Sequence, residues 1–438
     1  MSEKEKPELK PAEENPWYVL ATICDKWDKD DEDIIFNGKR LTNDKVWNSW
    51  IISLLDSEQK KVIDKNPPLD AYLKSVPNWT DIRVQVERKF KKRLDIAFND
   101  FEEPIFDKDD KWKCYEEPHL TDEGDLINVN IDFSQTEFKK RLYLANFIFP
   151  PFVQVAFNGS KFHQEISLVF AKAYDLINFD FAYFCDLAYF NHGLFENLYI
   201  RNATFNAPVE LHLSVFEGLV NFNNCEFRMP CNFSGVQFRK YYPDLANTIF
   251  REKITLSAKQ NTDTEIYWPN PKNCEQNPET AKATCEILRE QMEAQGLHEQ
   301  AHFFFRREMQ FASKIGSSIQ RLPYKLFGLF SDYGHSIARP LCALALLWAL
   351  PMLIFWVNIC TGKCANTIGA ELWVSLIKMA GLSIANIFQI TGLQRVYWSD
   401  FIECLPWGLK FLGGAQTLLA IPLLFLLLLG LRNRFRLK

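Results

Sequence analysis

Residues 179–238 read FDFAYFCDLAYFNHGLFENLYIRNATFNAPVELHLSVFEGLVNFNNCEFRMPCNFSGVQF. A large apolar residue returns every five or six positions, at Phe179, Phe184, Phe190, Phe195, Ile200, Phe205, Leu211, Phe216, Phe222, Phe227, Phe233 and Phe238. Toward the N-terminus, Phe147, Phe152, Phe157 and Phe162 belong to the same series. Two places before most of them stands a small residue: Ala145, Ser160, Ala182, Ala188, Gly193, Ala203, Ser214, Cys225 or Cys231. This spacing fits neither helical periodicity nor the alternation of a strand in a β-sandwich. One coil of this kind cannot bury its own aromatic face, so coils must stack into a solenoid with a continuous aromatic core. With about twenty residues per coil and a strand spacing of about 4.8 Å, the block gives five or six coils and a rod roughly 25 Å long. Phase is lost between Ser167 and Asn178, and intervals of five and six alternate after Phe205. Bulged corners and an irregular rod are therefore expected.

The units Ala145-Asn146-Phe147, Ala203-Thr204-Phe205, Cys225-Glu226-Phe227 and Cys231-Asn232-Phe233 resemble the pentapeptide-repeat family. The resemblance implies a right-handed quadrilateral β-helix over 131–255, with the central and the small residue of each unit turned inward. Solenoid ends need covers. A mostly helical cap over 16–130 and a helical stalk over 256–338 would supply them, after a disordered tail at 1–15.

The C-terminal 339–438 reads as a membrane domain. Pro340–Ile359 and Phe411–Leu431 carry no charge and are each long enough to cross a bilayer, forming a two-helix hairpin. Basic residues precede the first span (Arg306, Arg307, Lys314, Arg321, Lys325, Arg339) and close the second (Arg432, Arg434, Arg436, Lys438). Both termini are thus expected on the cytoplasmic side, and the resemblance to pentapeptide-repeat proteins implies a bacterial inner membrane. The start of the chain, charged and containing proline, does not read as a signal peptide. Between the spans, 370–393 is apolar but interrupted by Lys378 and Gly381. The leading expectation is an amphipathic helix at the outer interface, anchored by Trp373 and Trp398. A re-entrant helix, lacking a Thr-Val-Gly-Tyr-Gly-like filter, and a third span are the alternatives. Cys360 and Cys364 would form a disulfide if that loop lies in an oxidising compartment.

One motif has a chemical reading. His298-Glu299-Gln300-Ala301-His302 places two imidazoles on one helical face, where a zinc ion with Glu299 as general base would make a metalloprotease. No third ligand stands at a recognisable spacing, and Phe303, Phe304 and Phe305 follow at once. Packing explains the same residues as part of a helix pair, Pro278–Gln295 and Leu297–Ile315, broken at Gly296. The apolar stripe of the first helix is read as Ala283, Ile287, Leu288 and Met292, and that of the second as Ala301, Phe304, Phe305, Met309 and Phe311. No enzyme activity, cofactor or metal is therefore expected.

Near the start, a helix from Asp81 to about Phe98 is expected, with Val84, Val86, Phe90 and Leu94 as one stripe. The strings NPWYVLAT, VWNSW, HEQAHFFFRREM, SDYGHSIARP and LLFLLLLGLRNRFRLK, and their order along the chain, resemble those of bacterial membrane-associated pentapeptide-repeat proteins. That resemblance implies the architecture and no reaction. Over residues 131–250, eleven acidic and nine basic residues leave too little charge to imitate nucleic acid or to bind it. The expected role is a membrane-anchored scaffold presenting the solenoid to a protein partner, with self-association open. A two-span oligomeric channel or transport-related protein is the competing class.

Overall fold

The computed structural model describes residues 9–27, 29, 31–55, 60, 62–63, 75–94, 131–151, 153–257, 267–361, 372–388 and 392–436. Two compact units emerge, Met1–Phe305 and Arg306–Lys438.

The first unit is built on a four-sided parallel β-solenoid of about six turns. Its first face stacks Phe138, Phe162, Phe184, Phe205, Phe227 and Phe250 in register. The second stacks Leu142, Ile166, Ala188, Val209, Cys231 and Ile254. The third carries Phe149, Ala173, Phe195, Phe216 and Phe238, and the fourth Ile131, Val155, Ile177, Leu198 and Val220. Strands Lys172–Asn178 and Leu194–Tyr199 run straight through the corner between the third and fourth faces, with a register shift between Ala173 and Leu176. The loss of phase after Ser167 is this continuous strand.

Along the first face, neighbouring ring centroids lie 4.8, 5.0, 4.4, 4.8 and 5.0 Å apart, and the rings are nearly parallel. The strand spacing of the ladder thus becomes the stacking distance of the core. Phe147, Phe157, Phe162, Phe179, Phe184, Phe190, Phe195, Phe205, Phe216, Phe222, Phe227, Phe233 and Phe238 are all buried, as expected. Phe152 lies outside the described residues. Phe133, Phe138 and Phe149 are equally buried and extend the core beyond the series read from the sequence. Coils along the first face take 24, 22, 21, 22 and 23 residues rather than twenty.

Among the described residues, the N-terminal end is covered by α1 (Pro16–Ala21), α2 (Asn43–Leu54) and α3 (Trp79–Leu94). The Trp47 indole stacks on Phe147 at 5.2 Å, and its Nε1 donates to the Ile148 carbonyl at 3.0 Å. Asn48 accepts from Ile148 N and donates to the Asn146 carbonyl. The cap therefore satisfies backbone groups that the end of the solenoid would otherwise leave open. Within the stretch expected to be a disordered tail, 1–15, Lys10–Glu14 is structured, and residues 1–8 lie outside the described residues. Strand Lys10–Pro11 pairs in parallel with Thr136–Phe138, Lys10 N donating to the Gln135 carbonyl. On α3 the buried stripe is Trp79, Ile82, Val86 and Phe90, while Val84 is exposed. Spacings of three and four put those residues on one face, and Val84 falls outside it. Residues 95–130, including the end expected for this helix, lie outside the described residues.

At the other end, Trp268 packs on Phe238 and, edge-on, on Phe304. It is followed by α4 (Pro278–Ala294), which turns at Gly296 (φ 74°) into α5 (His298–Ala312). Ala281, Thr284, Cys285, Leu288 and Met292 form the buried face of α4, and Ala283 is exposed. The expected stripe was rotated because Thr284, whose hydroxyl donates to the Pro243 carbonyl, is buried despite being polar.

In the second unit, α6 (Ser318–Ser331) precedes α7 (Ala338–Thr361), α8 (Leu372–Ile387), the short α9 (Leu393–Tyr397) and α10 (Ser399–Cys404), and α11 (Trp407–Arg436). Among the described residues, Ala338–Asn358 and Trp407–Phe435 are long and apolar enough to cross a membrane. Each has only 22% of its apolar window buried, unlike the core helix of a soluble domain. The second begins four residues before the uncharged run, taking in Lys410. Cys364 and the side chain of Cys360 lie outside the described residues, and so does the expected disulfide.

Candidate functional site

Each coil of the solenoid turns two diagonally opposite corners through the left-handed region. Between the fourth and first faces stand Gln135, Gly159, Phe181, Asn202, Asn224 and Asn247; between the second and third stand Asn146, Phe170, His192, Leu213 and Gly235. Glycine and asparagine adopt this conformation readily, whereas it costs other residues about 1–2 kcal/mol. Phe170, His192 and Leu213 occupy three consecutive rungs of one corner and pay no attention to that preference. Phe170 (50% exposed) stacks on the His192 ring at 4.6 Å, and His212 meets His192 edge-on at 5.4 Å. Leu213 (52% exposed) lies over Gly235, where an added Cβ would meet its Cδ2 at 2.7 Å. The result is an exposed apolar strip on strained backbone, the kind of feature that points to function. Sequence reasoning missed it, yet a signal existed: Asn146, Asn202, Asn224 and Gly235 mark the turn positions, and Phe170 and Leu213 depart from that pattern.

In the HEQAH segment, His298 and Glu299 are exposed on the first turn of α5, while His302 is half-buried beside Phe305 with ring centroids 6.1 Å apart. Among the described residues, no three His, Cys, Asp or Glu side chains converge to hold a metal ion. Ala301, Phe304 and Phe311 are buried; Phe305 and Met309, assigned to the same stripe, are half-buried.

The second unit holds a buried polar cluster. Ser383 Oγ donates to the Trp348 carbonyl at 2.8 Å, and Gln416 Nε2 donates to Ser383 Oγ at 2.6 Å and to the Leu347 carbonyl at 3.0 Å. Asn386 Nδ2 donates to Gln416 Oε1 at 3.0 Å, and Thr417 donates to the Asn386 carbonyl at 2.9 Å. Asn386 Oδ1 is buried without a hydrogen-bond partner among the described residues. These bonds hold α8 against both long helices instead of leaving it on an outer surface, correcting the leading expectation. Near its start Ser375 meets Trp356; at its end Ile387 clusters with Leu344, Ala420 and Leu423. α8 therefore runs antiparallel to α7 and stops short of that helix's beginning. Chain direction then reverses, because Leu405 and Leu409 pack with Phe355 and Met379 at the end where α8 began. Trp373 is exposed, whereas Trp398 rests on Gly381, within 2.9 Å of where a Cβ would be.

A family model described as pentapeptide repeats (9 copies) matches residues 200–242. No curated protein and no solved structure matches the chain. The solenoid thus carries pentapeptide repeats, and their matched portion includes Leu213 of the exposed corner.

Proposed function

We propose that this chain is a membrane-anchored scaffold that presents its pentapeptide solenoid to a protein partner. The observation that carries the reading is the Phe170–His192–Leu213 corner, where apolar side chains are kept exposed on backbone that glycine or asparagine would relax. The two long apolar helices supply the anchor. Basic residues flanking them favour both termini on the cytoplasmic side, and we assign the chain to a bacterial inner membrane on its resemblance to membrane-associated pentapeptide-repeat proteins. The reading gives His298, Glu299 and His302 a packing role, and chelator-sensitive proteolysis by the purified protein would count against it. A photo-crosslinking residue at position 213 tests the corner in cells. The same partner should be captured from 213 and 170 but not from Lys139 on an exposed loop of the first face, and Phe170→Asn should abolish capture at 213. Equal capture from all three positions would remove the corner from the proposal.

The second reading, a channel or transport-related protein, draws on α8. A helix that enters between two spans, stops part-way and returns is a recurrent element of transport proteins, and polar side chains in a membrane interior are costly unless functional. Ion flux through the purified protein in liposomes would favour it over the scaffold.

A further inference from the structure

We infer that the second unit binds a phospholipid with an anionic headgroup, one acyl chain lying in a groove formed by α6, α7 and α11. The inference rests on the membrane reading. Fifteen residues line the groove, all apolar, among them Phe327, Phe330, Leu347, Pro351, Leu419 and Pro422, and it encloses about 750 Å³. Its lining on α7 extends from Ala343 to Ile354, about 17 Å at 1.5 Å per residue. Both span prolines face it.

The groove is continuous with the exposed face of α6. Ile319 (82% exposed), Leu322, Leu326 and Leu329 form a stripe at helical spacing, and Leu326 also lines the groove. Arg321 and Lys325 run beside that stripe one residue earlier, and α6 contains no Asp or Glu. A helix with an apolar stripe flanked by bases, leading directly into a membrane span, lies in the headgroup layer. Its cations then sit where the phosphate of a lipid seated in the groove would be. A second copy of the chain fits less well, because a two-fold contact through this face would gather Arg321 and Lys325 of both copies in one interface with no Asp or Glu of α6 to pair them.

Purified full-length protein in detergent, delipidated and titrated with phosphatidylglycerol or phosphatidylcholine of the same acyl chains, tests this by native mass spectrometry. Phosphatidylglycerol should bind more tightly. Neutralising Arg321→Gln and Lys325→Gln should weaken it about fivefold per charge removed, while Arg321→Lys with Lys325→Arg keeps the preference. Leu350→Trp, at the groove's exposed edge, should weaken both lipids, with circular dichroism verifying that each variant is folded. Equal binding of the two lipids, an unaffected neutral variant, or a concentration-dependent dimer that expels lipid would overturn the inference. A chain that stays soluble without detergent would instead overturn the membrane reading beneath it.

Discussion

The Gln416 amide donates to the Ser383 hydroxyl at 2.6 Å, joining α11 to α8 inside an otherwise apolar bundle. Gln416 also bonds the Leu347 carbonyl and accepts from Asn386, so one side chain links three helices. Interhelical hydrogen bonds in membranes average about 0.6 kcal/mol each, with a maximum near 1.7. Gln416→Leu should lower the stability of the detergent-solubilised protein by about 2 kcal/mol and speed amide exchange in α8 more than in α7. Unchanged exchange would mean that apolar contacts alone seat α8.

Phe184 is fully buried between Phe162 and Phe205, at 5.0 and 4.4 Å. Parallel strands above and below prevent collapse of the space, so Phe184→Ala should cost about 3–5 kcal/mol. Phe184→Leu, which keeps most of the volume, should cost less than half as much. Thermal unfolding followed by far-ultraviolet circular dichroism would rank the two.

At the exposed corner the opposite sign is expected. Phe170→Asn and Leu213→Asn relieve left-handed strain and lose little burial, so each should stabilise the solenoid by about 1 kcal/mol. Destabilisation in either variant would show that the corner side chains serve the fold.

The cap has an acid-labile centre. Burial pushes the Asp31 carboxyl up, but the Trp27 amide and the Arg93 guanidinium outweigh it and hold its pKa at about 2. Arg93 bonds it at 2.9 Å, and burial drives the neighbouring Lys89 amine down. A depressed carboxylate stabilises the folded state above its unfolded pKa near 3.9, and the contribution is lost as pH falls through about 2. It amounts to about 2 kcal/mol. Tryptophan fluorescence should report loosening of the cap between pH 4 and pH 2, and Asp31→Asn should cost about 3 kcal/mol at neutral pH by stranding two buried cations.

Burial raises the Cys225 thiol to about 12 and the Cys231 thiol well above its usual value. Since the thiolate is the nucleophile, native protein treated with iodoacetamide at pH 8 should carry no label on either. Rapid native labelling of Cys231 would mean that the second face opens.

The solenoid was legible because a core ring must recur once per face, and no neighbouring element is needed to write that rule. The reading stopped at Phe147 since Leu142 and Leu144 fill the next inward places without phenylalanine, hiding Phe133 and Phe138 behind them. The corner surface was harder: whether Leu213 points in or out depends on the sign of φ, which one-letter code does not carry. Lys378 and Gly381 made 370–393 read as an interfacial helix, and only the partners of Ser383 and Asn386 on α7 and α11 reveal that one face of α8 is interior. Val84 and Ala283 were misassigned for a related reason, apolar character being a weaker guide than angular position.

Pro11 has a consequence for assembly. Lys10 directs its N–H toward the solenoid, so alternation along the strand turns the nitrogen of Pro11 outward, where it carries no hydrogen to offer. An incoming strand from another molecule would meet a missing donor at this edge, which discourages fibre growth by end-to-end addition along the first face.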